Sequence, residues 1–246
     1  MRLKVLASSS KGNSYILESP TGNLLIEAGI PWKEILQGLD YDISKVVGCF
    51  VSHEHKDHSK AILNVAKTGI DVYTGQGTID ALGLKHYRLN AVEVKEQFTV
   101  GDFTMVSFDT EHDAEDPRGF LIQYSPTGER LLFLTDSYYS KYRFPGLNYI
   151  MIECNYIKDT LDQNIANGYV DKAMKPRLLQ SHFSLEHVKN FLRANDLSQC
   201  RKIILLHLSD SNSDAKRMIQ EIEDMTGIET VVADAGLEVE LSLYPY

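Results

Sequence analysis

The chain has 246 residues, 43% of them hydrophobic and 24% charged, and a formal net charge of −9 from 25 basic and 34 acidic residues. That composition supplies a sizeable globular core. It excludes nucleic-acid binding by overall positive charge, so any polyanion must be met by a local patch or by bound metal. No run of the ~20 apolar residues needed to span a bilayer is present, so no membrane partner is expected. The start, "MRLKVLASSSKGNSY", turns polar too early for a signal peptide. Cys49, Cys154 and Cys200 are isolated, which argues against a disulfide framework or a Cys-x-x-Cys metal site. A reducing cytoplasm is the expected compartment. The oligomeric state is not written in the sequence.

In chain order, "RLKVLAS", "SYILES" and "NLLIEAG" predict short strands separated by turn chemistry. Pro31 opens a predicted helix with Trp32, Ile35, Leu36 and Leu39 at helical spacing. "VVGCFVS" is a continuous apolar run, as in a strand buried on both faces. "VSHEHKDHS" follows at once, and "SKAILNVAKTG" predicts a helix ended by Gly69. "DVYTG" predicts a strand and Thr78 to Leu82 a short helix. "AVEVKEQFTVGDFTMVSFDTEH" alternates as a hairpin turning at Gly101-Asp102, and "RGFLIQYS" and "RLLFLTD" predict a strand pair. "YIMIECN" and "KIILLHLS" are buried-strand runs, "LEHVKNFLRAN" and "SDAKRMIQEIEDM" amphipathic helices, and "GIETVVADAGLEVEL" closing strands. No linker or repeat interrupts the chain, so a single domain over 1–246 is expected, with helices covering a two-sheet core.

The histidines cluster by position. His53, His55 and His58 follow one strand-like run, His112 another, and Asp136 and His207 two more. Strand ends on one sheet edge let a scaffold gather side chains from distant segments. In an extended loop alternate residues point the same way, so His53, His55 and Asp57 can share a side, with His58 turning back beside a helix start. Imidazole and carboxylate ligands of this kind suit zinc, manganese or iron. A solvated loop explains a lone His-x-His; it does not explain the added Asp and His with acceptors at three later strand ends.

His53-Glu54-His55-Lys56-Asp57-His58 resembles the His-x-His-x-Asp-His signature of the metallo-β-lactamase superfamily. His112, Asp136 and His207 match its later elements in order. "ASSSKGNSYIL", "LLIEAG", "IECNY" and "SHFSLEHV" are similar to segments of the small WalJ (YycJ)-type hydrolases, which include DNA exonucleases. The resemblance implies an α/β, four-layer αββα sandwich with two divalent metals, zinc or manganese and with iron possible. It implies one metal on His53, His55 and His112, another on Asp57, His58 and His207, and Asp136 between them. His58 disfavours the β-lactamase branch and His55 the di-iron flavoprotein branch. Glu27 departs from the family's usual Asp, which puts a supporting hydrogen bond in question.

The expected chemistry is attack by a metal-bridging hydroxide on phosphorus. Asp57 orients the nucleophile, and His182 in "SHFS" assists the leaving oxygen. His182 resembles the His-Ser/Thr element of the superfamily's tRNA-processing phosphodiesterases; packing or capping of the next helix is its bland alternative. His187 reads as a solvated residue on the polar face of that helix, and His86 carries no role. Lys172, Lys175 and Arg177, with Arg118 and Lys56, could meet a phosphate, although surface is the commoner reason for such residues. Tyr138, Tyr139 and Tyr142 could stack on bases, although core or rim aromatics is the commoner reading of such residues. Glu153 and Asn155 are expected, by resemblance, to line or brace the site. The expected partner is nucleic acid, DNA before RNA. A hydrolase of small esters, thioesters or lactams is the alternative, and a non-catalytic binding module is disfavoured because no ligand position is lost.

Overall fold

The computed structural model describes residues 1–242. These residues divide into two compact units: 1–109 with 114–129 and 233–242, and 110–113 with 130–232.

In the first unit the strands β1 (Arg2–Ser9), β2 (Gly12–Ser19) and β3 (Gly22–Ile26) pair antiparallel in sequence. Beyond β3 the sheet continues parallel through β4 (Val46–Phe50), β5 (Val72–Thr74) and β6 (Leu89–Ala91). Helices α1 (Trp32–Gly38), α2 (Lys56–Ser59), α3 (Ile62–Lys67) and α4 (Gln76–Leu82) connect these strands. Ile35 and Leu39 from the α1 region and Ile62, Val65 and Ala66 from α3 are buried with Ile16, Leu25, Cys49, Val51 and Val72 of the sheet. Helices therefore cover one face of this sheet, as the unbroken apolar run of β4 requires. A second antiparallel run, β7 (Gln97–Val100), β8 (Phe103–Asp109) and β9 (Arg118–Tyr124), turns at Gly101, whose φ is 56°. The predicted hairpin is thus found at Gly101-Asp102. Its expected first segment is not part of it, because Leu89–Ala91 pairs parallel with β5 instead.

In the second unit β10 (Glu129–Leu134), β11 (Tyr149–Glu153), β12 (Lys202–Leu206) and β13 (Glu229–Val232) are all parallel. Every residue of β11 is buried, matching its run of apolar side chains. The helices are α5 (Lys158–Ala166), α6 (Lys175–Ser181), α7 (Leu185–Ala194) and α8 (Ala215–Thr226). α7 is capped by Ser184 Oγ, which accepts from His187 N–H at 3.2 Å, and buries Leu185, Val188, Phe191 and Leu192. α8 is capped by Asp214 and ends on Gly227 at φ 69°. Sequence periodicity did not foretell α5 and α6: each buries one side chain only, Leu161 and Ser181, so neither carries an apolar stripe. The last described strand, β14 (Glu238–Glu240), belongs to the first unit and pairs antiparallel with β1.

Candidate metal centre

The parallel strands place the chemistry. Glu27 follows β3, His53 follows β4, Asp136 follows β10, Glu153 ends β11 and His207 follows β12, so all of them sit at carboxyl ends. Among the described residues six that are not glycine have positive φ; Asp40, Tyr41 and Lys95 are exposed, whereas Glu27 (62°), Asp136 (38°) and His207 (53°) are buried. A left-handed turn on a buried polar residue is strained by about 1–3 kcal/mol and is typical of functional sites. It turns the chain sharply off the strand and aims the side chain across the strand ends.

In the first unit, Asp57 and His58 lie on the single helical turn α2, not in the extended loop expected from the alternation argument. Helical geometry, rather than alternation, places them after His55, whose carbonyl accepts from His58 N–H at 2.9 Å. His53 Nε2 and His55 Nδ1 are 3.1 Å apart, and the His53 and His58 rings are 4.2 Å apart. The Glu27 carboxylate lies 3.4 Å from His58 Nδ1 and accepts from Ser52 N–H at 3.2 and 3.3 Å. The longer side chain at position 27 therefore still reaches the His58 imidazole. Burial pushes the Glu27 carboxyl up, while His58 pulls it down.

Asn13 was missed among the residues of "SSSKGNS". Its amide nitrogen is 3.2 Å from His58 Nε2 and donates to Asp57 O at 3.2 Å and Ser9 O at 3.1 Å. Nothing in the sequence sets this asparagine apart from ordinary turn chemistry; its burial does. Glu54, between the clustered histidines, is tied down: it accepts from Glu115 N–H at 2.8 Å.

In the second unit, Asp136, Glu153, His182 and His207 each offer an atom within 4.8 Å of the others. Glu153 Oε1 accepts from His182 Nδ1 at 2.6 Å and His207 Nδ1 at 3.1 Å. Its Oε2 accepts from Ser137 N–H and Phe183 N–H, both at 3.1 Å. Burial favours the neutral carboxyl, but His182 outweighs it and holds Glu153 below the ordinary range. Burial lowers His182 in turn, and Glu153 reverses this and holds the imidazole above its ordinary value. Asn155 Nδ2 donates to His207 O at 2.9 Å, so both residues singled out in "IECNY" hydrogen-bond His207. The His182 ring lies 5.5 Å from that of His207 and 5.7 Å from that of His112.

The donor set fits divalent metal. His112 Nδ1 lies 2.9 Å from the Ser181 carbonyl, which assigns the proton to Nδ1 and the lone pair to Nε2. That lone pair faces Asp136 Oδ2 at 3.6 Å. Burial holds His112 below the ordinary histidine range despite Asp136, so the neutral form is favoured. In the first unit Glu27 likewise assigns His58 its Nδ1 proton, and His58 Nε2 faces Asp57 Oδ2 at 3.4 Å. Two electron-pair donors facing each other call for a cation between them, and imidazole with carboxylate suits zinc or manganese. Fixing the second ring nitrogen by a carbonyl or carboxylate is the usual support for a metal-binding histidine.

Residues 23–208 match the family model of the β-lactamase superfamily domain. The chain belongs to this superfamily. It is 28% identical to the exodeoxyribonuclease WalJ of Streptococcus pneumoniae serotype 2, covering 99% of this chain and 93% of the relative. It is 26% identical to the exodeoxyribonuclease YycJ of Bacillus anthracis, covering 87% and 84%. The metallo-β-lactamase fold protein YhfI of Bacillus subtilis superposes with a TM-score of 0.73 at 16% identity over 97% of this chain and 98% of its own. The fold is therefore the metallo-β-lactamase α/β sandwich, and the superfamily member described here is a metal-dependent hydrolase. No described helix is long and apolar enough to cross a membrane.

Other expected residues are placed differently. His187 is half-buried, not solvated, because its face of α7 lines a cavity. Arg118 is buried and bound to Asp116 at 2.8 Å, so it is not an entry for phosphate. Lys175 pairs with Asp162 at 2.5 Å, whereas Arg177 lines an open cavity with His112 and Tyr138.

Proposed function

We propose that the chain acts over 1–246 as a two-metal phosphodiesterase that degrades DNA as an exonuclease. His53, His55 and His112 would hold one ion, Asp57, His58 and His207 the other, and Asp136 would serve both. Bound there, two divalent cations would supply Lewis acidity and offset the negative charge that develops on phosphate oxygens.

The observation that carries the reading is His182. Its Nδ1 is fixed on the buried Glu153 carboxylate at 2.6 Å, beside the rings of His112 and His207. A thioester expels a thiolate that leaves without a proton, so a positioned acid speaks against it, whereas a phosphodiester expels an alkoxide that must gain one. A lactam nitrogen needs a proton too, so against lactams the reading rests on the relatives' names. With Nδ1–H held by Glu153, the Nε2 proton of His182 is the one available to the departing oxygen. Asp57 accepts a hydrogen bond from the attacking water and orients it. The names of the relatives at 28% and 26% identity support DNA as the substrate.

His182→Ala tests the assignment. The variant should retain its metals and lose about 10²–10⁴-fold in turnover of DNA, the usual worth of general acid–base catalysis. Loss should be smaller on a p-nitrophenyl phosphodiester, whose leaving group needs no proton. Unchanged DNA turnover returns His182 to a packing role.

A further inference from the structure

A cavity of about 360 Å³ lies in the second unit, apart from the ligand residues. One wall is the irregular segment Tyr138 to Arg143; the other is α7, through His187, Asn190, Phe191 and Ala194. These four are spaced i, i+3, i+4 and i+7, so they form one stripe of the helix. The facing segment is anchored at both ends. Ser137 Oγ donates to Tyr139 O at 2.7 Å and Tyr138 N–H to Glu111 O at 3.1 Å; at the far end Phe144 N–H donates to Asn195 Oδ1 at 2.8 Å. Between the anchors, Tyr139 is 56% exposed. Lys141 Nζ lies 5.4 Å from the centre of the Tyr142 ring.

The cavity falls within the roughly 300–1,000 Å³ range of small-ligand sites. Its lining joins flat aromatic faces to two cationic side chains, Lys141 and Arg143, on a chain whose net charge is −9. Aromatic faces with adjacent cations suit a planar π-system that carries a phosphate. Tyr138 also lines a second, open cavity with His112 and Arg177, so the two cavities share that side chain as a wall.

We propose that this cavity is a nucleotide subsite: it stacks one unpaired base of the substrate on Tyr139 and Tyr142 while Lys141 and Arg143 meet the adjoining phosphate. The assignment of that base to a DNA strand rests on the nuclease reading above; the binding of a nucleotide does not.

The probe is 2-aminopurine deoxynucleoside 5′-monophosphate, whose fluorescence falls on stacking. It holds no phosphodiester, so the activity proposed above does not consume it. Titrating the metal-loaded protein should quench the probe saturably, and Tyr139→Ala and Tyr142→Ala should each weaken the apparent Kd about tenfold, the worth of one base–aromatic stack. Lys141→Glu should weaken it further at low salt than at high salt. On end-labelled DNA the tyrosine variants should raise KM more than they lower kcat. Absence of quenching by the wild-type protein, or equal Kd in wild type and both tyrosine variants, overturns the subsite. Saturable quenching lost in those variants, in a protein that does not shorten DNA, keeps the subsite and defeats the nuclease reading instead.

Discussion

Gly29→Ala is expected to lose metal binding and about 3 kcal/mol or more of stability, at the upper end of overpacking costs. A Cβ at position 29 would meet the Asp57 carbonyl oxygen at 1.7 Å and Asn13 N at 2.8 Å. Both are backbone atoms, so no rotamer change relieves the clash. Gly29 N–H donates to Asn13 O at 2.9 Å, and Ala28 N–H to His58 O at 2.9 Å. The residues after β3 are therefore laced to the turn that carries Asp57 and His58. Moving one displaces the other, and ligand geometry fails with displacements well under 1 Å. Urea unfolding and metal titration by calorimetry would measure the two effects. A variant with wild-type midpoint and wild-type metal affinity would mean that the close approach of Gly29 to Asp57 is absent in solution.

Glu153→Gln is expected to cut DNA turnover at least 100-fold, with a stability loss of about 2–4 kcal/mol from a broken buried network. The carboxylate accepts two donors at each oxygen: His182 and His207 at one, Ser137 N–H and Phe183 N–H at the other. A glutamine has the same shape, but with its oxygen kept on the Ser137 and Phe183 N–H groups its NH₂ faces His182 and His207, so both Nδ1 atoms must accept and both ring protons must move to Nε2. The wrong tautomer is then fixed on both imidazoles. Loss of His207 orientation should lower metal affinity about 10–100-fold, and loss of His182 orientation should lower kcat at saturating metal. Measuring both separates the two arms. Wild-type kcat at saturating metal would show that Glu153 does not position the acid.

Much of this was legible in the residues. The histidine cluster at 53–58 is dense and local, and Asp136 and His207 stand just past continuous apolar strand runs, which singles them out; His112 stands past an alternating run and is singled out by its order in the chain. Glu153 and Asn155 of "IECNY" are singled out by resemblance alone, and both hydrogen-bond His207. Three kinds of feature were not legible. The helical turn under Asp57 and His58 follows no periodicity, because a turn of four residues, Lys56–Ser59, is too short to show one. Helices α5 and α6 bury too little to write an apolar stripe. Supporting contacts from Asn13 and Gly29 depend on segments distant in sequence, and a small polar residue and a glycine look like ordinary turn chemistry until the backbone beside them is seen. His187 was misread for the opposite reason: its helix position is polar by pattern, but the segment that faces it comes from residues 138–143.

The central claim is that this His/Asp set makes a metal-dependent DNA phosphodiesterase. The most direct measurement follows end-labelled DNA with protein stripped by chelator and then reloaded separately with zinc or manganese, beside lactam and thioester substrates. Stepwise shortening of the DNA that stops on stripping and returns with at least one of the two metals is the predicted result. Metal-restored hydrolysis of the lactam or thioester with DNA left intact would contradict it.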